Sequence, residues 1–305
     1  MSTKKAKILN PKIGKRSLPY ILVLPMVLMM AIVVLYPIVK TVGMSFFENY
    51  LARPGMNPFV GLKHYLNFFD NKYFVNSIII TIKYVVITVL LRFVIGLIAA
   101  LLLNEKVKGV GIARSIVVIP WAMPVVVVCL LFVQMFDYQY GIFNYMLATV
   151  GIIKEPVKWL SDKDLALPVA MFVNIWKGWP WVAIMFLAGL QGIQKEHYEA
   201  AEIDGAGWWS KFWNITMPML SPTTFFIMIM SMISSFQVFD IVYVLTSGGP
   251  LGATKVMVFY IYENAFKFFE MGYASAAAYV FFAILAVLTV LQVKFMQTRA
   301  GYEAV

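Results

Sequence analysis

The sequence is poor in the residues that build most catalytic and metal sites. Among its 305 residues it has one cysteine and two histidines. The single cysteine, Cys129, excludes an intrachain disulfide. His64 and His197 fall in connecting loops, so the sequence offers no cluster of histidines and carboxylates for a membrane enzyme. It also lacks the glycine-lysine motif of a phosphate-binding loop. We therefore expect no catalytic site, no metal and no cofactor in the chain itself.

Charged residues are also scarce. They make up 13% of the chain, against about 25% in an ordinary soluble domain. Hydrophobic residues make up 61%, and the mean hydropathy is +0.80. A chain of this length with so little polar surface belongs in a lipid membrane.

Much of the net charge of +10 lies at the start of the chain, because residues 1–17 hold six basic residues and no acid. A basic segment directly before an apolar run is typical of a cytoplasmic flank. Nucleic-acid binding would instead need basic residues gathered on one surface. We expect a cytoplasmic N-terminus and no nucleic-acid partner.

Six apolar stretches are long enough to cross a membrane, which takes about 20 residues as a helix. They are approximately 18–39, 75–103, 112–136, 165–190, 221–246 and 274–296. The first is too long for the core of a cleaved signal peptide and is expected to remain as a span. The predicted fold is an all-α membrane protein with six transmembrane helices over 18–296. The basic segment 1–17 and a tail 297–305 then both lie in the cytoplasm.

Four charged residues interrupt these stretches: Lys83, Arg92, Lys177 and Asp240. Each costs about 2.5–3.5 kcal/mol at the centre of a spanning helix, so each needs water or a protein partner. We expect Lys83 to reach the outer surface along its flexible side chain. Arg92 lies deeper and has either a functional role or a structural ion pair, for which Asp240 is a candidate partner.

Proline and glycine interrupt the third and fourth stretches. Pro120-Trp121-Ala122-Met123-Pro124 breaks the third near its start, and Gly178-Trp179-Pro180 lies midway along the fourth. Unwound backbone at membrane depth is tolerated where it is buried in protein or lines a water-filled cavity. These breaks indicate a solute pathway, with kinks that serve only packing as the alternative.

The connection 191–220 has the features of a cytoplasmic docking element. A short helix is predicted from about Lys195 to Asp204, ended by Gly205 and Gly207, because glycine adopts the left-handed conformation at low cost. Two alanines leave a flat surface on this helix, its acids make it anionic, and an amphipathic segment rich in tryptophan follows. The acids are Glu196, Glu199, Glu202 and Asp204, and the aromatic residues are Trp208, Trp209, Phe212 and Trp213. Such a helix suits a groove on a soluble partner.

The same loop resembles the "EAA" loop of ABC-importer permeases. Glu199-Ala200-Ala201, three residues, Gly205, nine residues and then Ile215-Thr216-Met217-Pro218 follow the family's spacing, with Met217 in place of a leucine. In that family the helix of this loop sits in a cleft of the ATPase subunit and transmits its opening and closing. The resemblance implies an ATPase-coupling role for Glu199, Ala200, Ala201, Asp204 and Gly205.

Further motifs are similar to the carbohydrate-uptake branch of this family, which includes maltose and glycerol-3-phosphate permeases. They are Tyr36-Pro37, Asn104-Glu105, Pro120-Trp121, Tyr140-Gly141, Trp159-Leu160-Ser161-Asp162, Asn174-Ile175-Trp176-Lys177-Gly178 and Leu245-Thr246-Ser247-Gly248-Gly249-Pro250. The resemblance implies the type I importer fold and a sugar held at mid-membrane by the third, fourth and fifth spans. By position, the substrate pathway falls on Trp121, Asn174, Lys177, Gly178, Trp181, Ser235 and Gln237. Several of these differ from the maltose permease, so the identity of the sugar stays open.

The resemblance also implies partners in a bacterial inner membrane. These are a second permease subunit, two cytoplasmic ATPase subunits that bind ATP and magnesium, and an extracytoplasmic sugar-binding protein. The alternative is a secondary transporter driven by an ion gradient. That class predicts an internal repeat and paired intramembrane carboxylates, whereas the sequence shows no repeat and one clear intramembrane acid, Asp240.

Overall fold

The computed structural model describes residues 18–52, 55, 57–105 and 107–300. Within these ranges the chain forms helices joined by turns and loops. The basic segment 1–17 and the tail residues 301–305 lie outside the described residues. Residues 297–300, expected in the tail, continue the last helix.

The described helices form a long series of unequal lengths. In chain order they are α1 (Leu18–Met30), α2 (Tyr36–Met44), α3 (Lys63–Asn67), α4 (Lys72–Asn104), α5 (Val110–Ala122), α6 (Val125–Met135), α7 (Ile142–Thr149), α8 (Ala166–Gln191), α9 (Lys195–Ile203), α10 (Trp208–Lys211), α11 (Met217–Met219), α12 (Ser221–Phe236), α13 (Asp240–Leu245), α14 (Met257–Tyr262) and α15 (Met271–Ala300). The π-helical segments Ala31–Leu35, Phe212–Thr216 and Glu263–Lys267 continue the helical path beside them.

Long helices and bent pairs together give the predicted number of spans. Pro19–Met44, Lys72–Asn104, Ala166–Gln191 and Met271–Lys294 are each long and apolar enough to cross a membrane. Two pairs meet this requirement only jointly: α5 with α6, bent by 89°, and Trp208–Met219 with α12, bent by 64°. With each pair taken as one span, the described chain has six.

The fifth span departs from the predicted range 221–246. α12 ends at Phe236, residues 237–239 are not helical, and α13 is a separate short helix. Asp240 opens α13, where a carboxylate is favourable beside the unpaired N–H groups of a helix start. The intramembrane acid therefore marks a helix start rather than the interior of a continuous span.

α4 and α8 form the central contact of the bundle. Gly96 of α4 lies directly against α8, where a Cβ atom would sit 2.5 Å from Cγ1 of Val182. This close approach is surrounded by the buried side chains of Leu97, Phe186 and Ile227. In lipid, such packing between small and large residues is what holds helices together.

The first span stands apart from this core, because none of its most apolar stretch within Pro19–Met44 is buried by the rest of the chain. Tyr279 Oη of α15 fastens it by donating a hydrogen bond to the carbonyl of Ile38 at 2.5 Å. Lys83 of α4 is also exposed. It lines a surface cleft with Lys163 and Asp164 from the loop before α8, so its side chain lies at a polar edge of the bundle as expected.

Side chains order the connection between the third and fourth spans. Asp137 Oδ1 accepts hydrogen bonds from the backbone N–H groups of Tyr140 and Gln139, each at 2.8 Å. These bonds lower the pKa of the Asp137 carboxyl. Asn144 Oδ1 accepts from Trp159 Nε1 at 2.8 Å. A loop tied in this way holds α7 against the end of α6.

Candidate functional site

The third span is broken where proline removes a backbone donor. α5 ends at Ala122, and Met123 is extended, as expected for a residue before proline. The break lies between two helices of similar length, not near the start of the span as predicted. Its carbonyls meet Lys177, whose Nζ donates to the oxygens of Trp121 at 3.0 Å and Met123 at 2.8 Å. Lys177 thus satisfies backbone groups that the broken helix leaves unpaired.

The fourth span contradicts the expected interruption at Gly178-Trp179-Pro180. α8 runs unbroken from Ala166 to Gln191 with Pro180 inside it. A single proline removes one helical hydrogen bond, and neighbouring helices in a membrane bundle make that loss tolerable. Gly178 instead leaves room for the Arg92 side chain, because a Cβ atom at this position would lie 2.3 Å from Nε of Arg92.

Arg92 crosses from α4 to α8 through that space. Its Nε and Nη2 atoms donate to the Asn174 carbonyl oxygen at 3.2 and 2.9 Å. Nη2 also donates to Asn174 Oδ1, and Nη1 contacts Ser235 Oγ at 3.5 Å. A guanidinium has only donors, so the Asn174 amide oxygen faces it and Nδ2 is the end left for other acceptors.

The candidate ion pair of Arg92 with Asp240 is wrong. Within the described part of the chain the two residues form no ion pair, although both line the same cavity. Neutral acceptors on α8 and α12 take the guanidinium donors instead. Asp240 reaches the cavity from the start of α13.

A cavity of about 440 Å³ lies among the third, fourth and fifth spans. The structure brings six of the seven predicted pathway residues to its wall: Trp121, Asn174, Lys177, Gly178, Trp181 and Gln237. Ser235 is not among the lining residues. It is fully buried and contacts Thr88 Oγ1 at 3.4 Å, while its neighbour Ser234 lines the cavity. The predicted role of these residues in binding a solute stays a prediction.

The cavity wall also includes residues that the sequence analysis did not assign to it. Arg92 and Asp240 were noted as intramembrane charges, and Phe239 and Met230 were not singled out. Phe239 reaches the cavity because α12 ends at Phe236, and the chain then turns the next residues toward the cavity. The wall therefore combines aromatic faces, amides and three charged groups, a set suited to a ligand with both apolar faces and many oxygens.

The connection 191–220 contains the predicted short helix. α9 spans Lys195–Ile203, and Glu199, Ala200, Asp204 and Gly205 are exposed, while Ala201 is partly buried. Gly205 ends the helix with φ +77°. Gly207 has φ −71° and starts α10, so the prediction that it shares the left-handed role was wrong.

Two contacts fasten α9 to the segment that enters α12. Tyr198 Oη lies 3.0 Å from Thr216 Oγ1, and Lys211 Nζ donates to Glu202 Oε1 at 2.6 Å. Ile203, at the end of α9, leaves 87% of its surface exposed. A large apolar side chain beside exposed acids is typical of a contact surface, and Ile203 was not among the residues predicted from the sequence.

A helical membrane bundle with a polar cavity inside and an exposed acidic helix at one end is the architecture of a membrane transport component. The family model for the binding-protein-dependent transport system inner membrane component matches residues 92–300. The chain belongs to this family and is a multi-pass membrane protein.

Similar proteins extend this finding over nearly the whole chain. It is 35% identical over 292 residues to the trehalose/maltose transport system permease protein MalF of Thermococcus litoralis, covering 96% of each chain. It is 34% identical over 287 residues to the sulfoquinovosyl glycerol transport system permease protein SmoG of Agrobacterium fabrum, covering 94% of this chain and 92% of that one. A chain from a bacterial ABC transporter involved in the import of the acidic polysaccharide alginate superposes with a TM-score of 0.81 at 25% identity, covering 93% of this chain and 96% of that one. The predicted type I importer fold and the resemblance to carbohydrate-uptake permeases are confirmed.

Replacing Gly178 with alanine is expected to displace Arg92 from Asn174. The added Cβ overlaps the guanidinium, and such overpacking costs about 1–3 kcal/mol. We expect Gly178→Ala to lower the unfolding temperature of the purified protein and to reduce transport. Gly192→Ala is the matched control, since its Cβ meets its nearest neighbour at 3.4 Å. Equal unfolding temperatures for the two variants would contradict this account.

Replacing Lys177 with methionine is expected to loosen the break in the third span. Methionine keeps the length but removes both hydrogen bonds to the carbonyls of Trp121 and Met123, at about 1 kcal/mol each. Lys177→Arg retains donors and is the control. Thermal unfolding without any solute measures the effect. If Lys177→Met unfolds like the wild type but needs a higher solute concentration for transport, Lys177 serves the solute and not the break.

Proposed function

We propose that the chain is the permease subunit of a binding-protein-dependent ABC importer that carries a saccharide into the cytoplasm. The main support for this proposal is the way the cavity is connected to α9. The helices that line the cavity, α8 and α12, lead directly into the loop that contains the exposed acidic helix α9. ATP hydrolysis resides in partner subunits, and the permease converts their movement into access to the cavity.

The chemistry of the cavity supports a saccharide. Trp121 and Trp181 offer aromatic surface to the apolar faces of a sugar ring. Asn174 and Gln237 offer amides to its hydroxyl groups. The relatives named for trehalose, maltose and sulfoquinovosyl glycerol favour the same class. The cavity wall also carries two cations and one acid, which can donate to and accept from the hydroxyl groups of a sugar.

The exposed surfaces support the partners. α9 is acidic and exposed, which suits a groove on a cytoplasmic ATPase subunit, and two such subunits serve a pair of permeases. The unburied first span and the solvent-open cavity suit a second permease subunit in the same membrane. The extracytoplasmic sugar-binding protein delivers the solute at the opposite end. The basic segment 1–17 supports a cytoplasmic location for both termini and α9.

Asp240 in the cavity is the feature that a gradient-driven secondary transporter would use. Reconstitution with the partner subunits separates the two mechanisms. With labelled trehalose and maltose as probes, we expect uptake to stop when ATP is depleted and to continue when ion gradients are collapsed. Uptake that survives ATP depletion and fails with the gradient would overturn the proposal.

Changes in the loop should separate ATP hydrolysis from transport. Glu199→Lys reverses an exposed charge on α9, and Gly205→Pro cannot adopt φ +77°. We expect each to lower uptake by about tenfold or more, as for a charge lost from an interface, while the permease still assembles in the membrane.

The loop offers close controls. Gly207 has φ −71°, which proline adopts without strain, so Gly207→Pro should retain uptake. Glu155→Lys alters an exposed acid in a different connection and should also retain it. Unchanged uptake and ATPase stimulation in both Glu199→Lys and Gly205→Pro would exclude α9 as the coupling element.

A further inference from the structure

A series of aromatic rings begins at the cavity wall and extends away from the cavity. Phe239 lines the cavity, and its ring centroid lies 5.2 Å from Tyr243 and 5.0 Å from Tyr262. Tyr262 lies 5.5 Å from Phe266. These four residues, called the aromatic platform below, form one unbroken series of ring contacts.

A buried ring supports the platform. Phe259 is fully buried, and its centroid lies within 6.2 Å of Phe239 and 6.1 Å of Tyr262. Gly248 leaves room for it, since a Cβ there would lie 2.4 Å from Phe259 Cε1. The supporting ring is thus held in place, while the platform above it keeps exposed surface. Tyr243 is 41% and Phe266 is 56% exposed.

The platform runs toward the extracytoplasmic end of the bundle. Tyr260 Oη accepts a hydrogen bond from Asn71 Nδ2 at 3.3 Å, and Asn71 caps the start of α4 at the end opposite α9. Phe266 follows Tyr260 by six residues along the same helical path. Phe239 therefore lies at the cavity and Phe266 near the rim.

Polar groups accompany the rings at the rim. Glu263 pairs with Lys255 and lies 3.7 Å from Lys267. Lys267 Nζ is also 5.1 Å from the centroid of the Phe259 ring. Aromatic faces beside charged hydrogen-bonding groups match a saccharide, which has apolar C–H faces and hydroxyl edges.

We propose that the aromatic platform is an entry path on which a saccharide stacks as it passes from the extracytoplasmic rim to the cavity. The inference rests on the proposed function. Because neighbouring rings touch, a sugar unit can shift between them without leaving an aromatic surface. A longer saccharide covers several rings at once and gains more from the path than a disaccharide does.

The test is uptake by the complete transporter in proteoliposomes, with its binding protein. The probes are trehalose, maltose and maltooligosaccharides of three to seven units. Tyr262→Leu and Phe266→Leu should lower uptake about threefold to tenfold, the factor that one aromatic contact contributes, and most for the longest saccharide imported. Tyr262→Phe keeps the ring, so its uptake should fall less than that of Tyr262→Leu. Phe268→Leu changes an exposed aromatic residue outside the platform and is the matched control.

The outcomes separate this inference from the proposed function. Wild-type uptake with no difference between the leucine variants and Phe268→Leu would overturn the path and leave the importer standing. A wild type that imports none of the probes would count against both. The amount of intact complex recovered is the second measurement. If the leucine variants reduce the amount of intact complex in proportion to uptake, the rings form a contact between subunits and the proposed entry path is wrong.

Discussion

A guanidinium inside a membrane needs hydrogen-bond acceptors within the protein, because lipid supplies none. Arg92 of α4 finds them across the helix contact, on the backbone and side chain of Asn174 in α8. The contact exists because Gly178, one turn further along α8, has no side chain to obstruct it. This interaction fixes the distance between the two central helices, turns the Asn174 amide and forms one wall of the cavity.

Lys177, on the same face of α8, follows the same logic toward the third span. It donates to the carbonyls of Trp121 and Met123 where Pro124 interrupts the third span. Two intramembrane cations on neighbouring helices thus bind neutral backbone acceptors and hold irregular or closely packed backbone at depth. Their positive charges are left largely uncompensated near the cavity, where Asp240 supplies the one carboxylate of its described wall. A solute that enters this cavity meets an electrostatic field as well as hydrogen-bond partners.

The sequence predicts the spans and the loop well, because both depend on local information. Apolar length defines the spans, and the spacing of Glu199, Gly205 and Pro218 defines the loop. The break at Pro124 is equally local. Gly178-Trp179-Pro180 misled the prediction, since proline inside a helix can be accommodated when neighbouring helices support it, and that support is invisible in one sequence.

The sequence also did not predict which residues, distant along the chain, bind the Arg92 side chain. Arg92 and Asn174 are 82 residues apart, and Arg92 and Ser235 are 143 apart. Charge alone favoured Asp240 as the partner of Arg92, but geometry decides among acceptors, and carbonyl oxygens carry no sequence signal. Ser235 shows the same limit from the other side. Its position in the family pattern indicates the pathway, whereas a one-residue difference in helical phase places Ser234 on the cavity wall and Ser235 behind it.

The connection of α9 to the cavity follows from chain continuity and two side-chain contacts. α8 carries Asn174, Lys177 and Gly178 and ends four residues before α9 begins. The Gly178-to-Gln191 part of that helix spans about 20 Å at 1.5 Å per residue. On the other side, the Tyr198–Thr216 and Glu202–Lys211 contacts fasten α9 to the segment that leads into α12. A force on α9 therefore reaches both cavity-lining helices at once. Because Arg92 binds α8 and contacts α12 through Ser235, a relative movement of those helices must either carry Arg92 along or break its hydrogen bonds. In the proposed importer, a movement of α9 would therefore act on the hydrogen bonds of Arg92, the residue that organises the cavity.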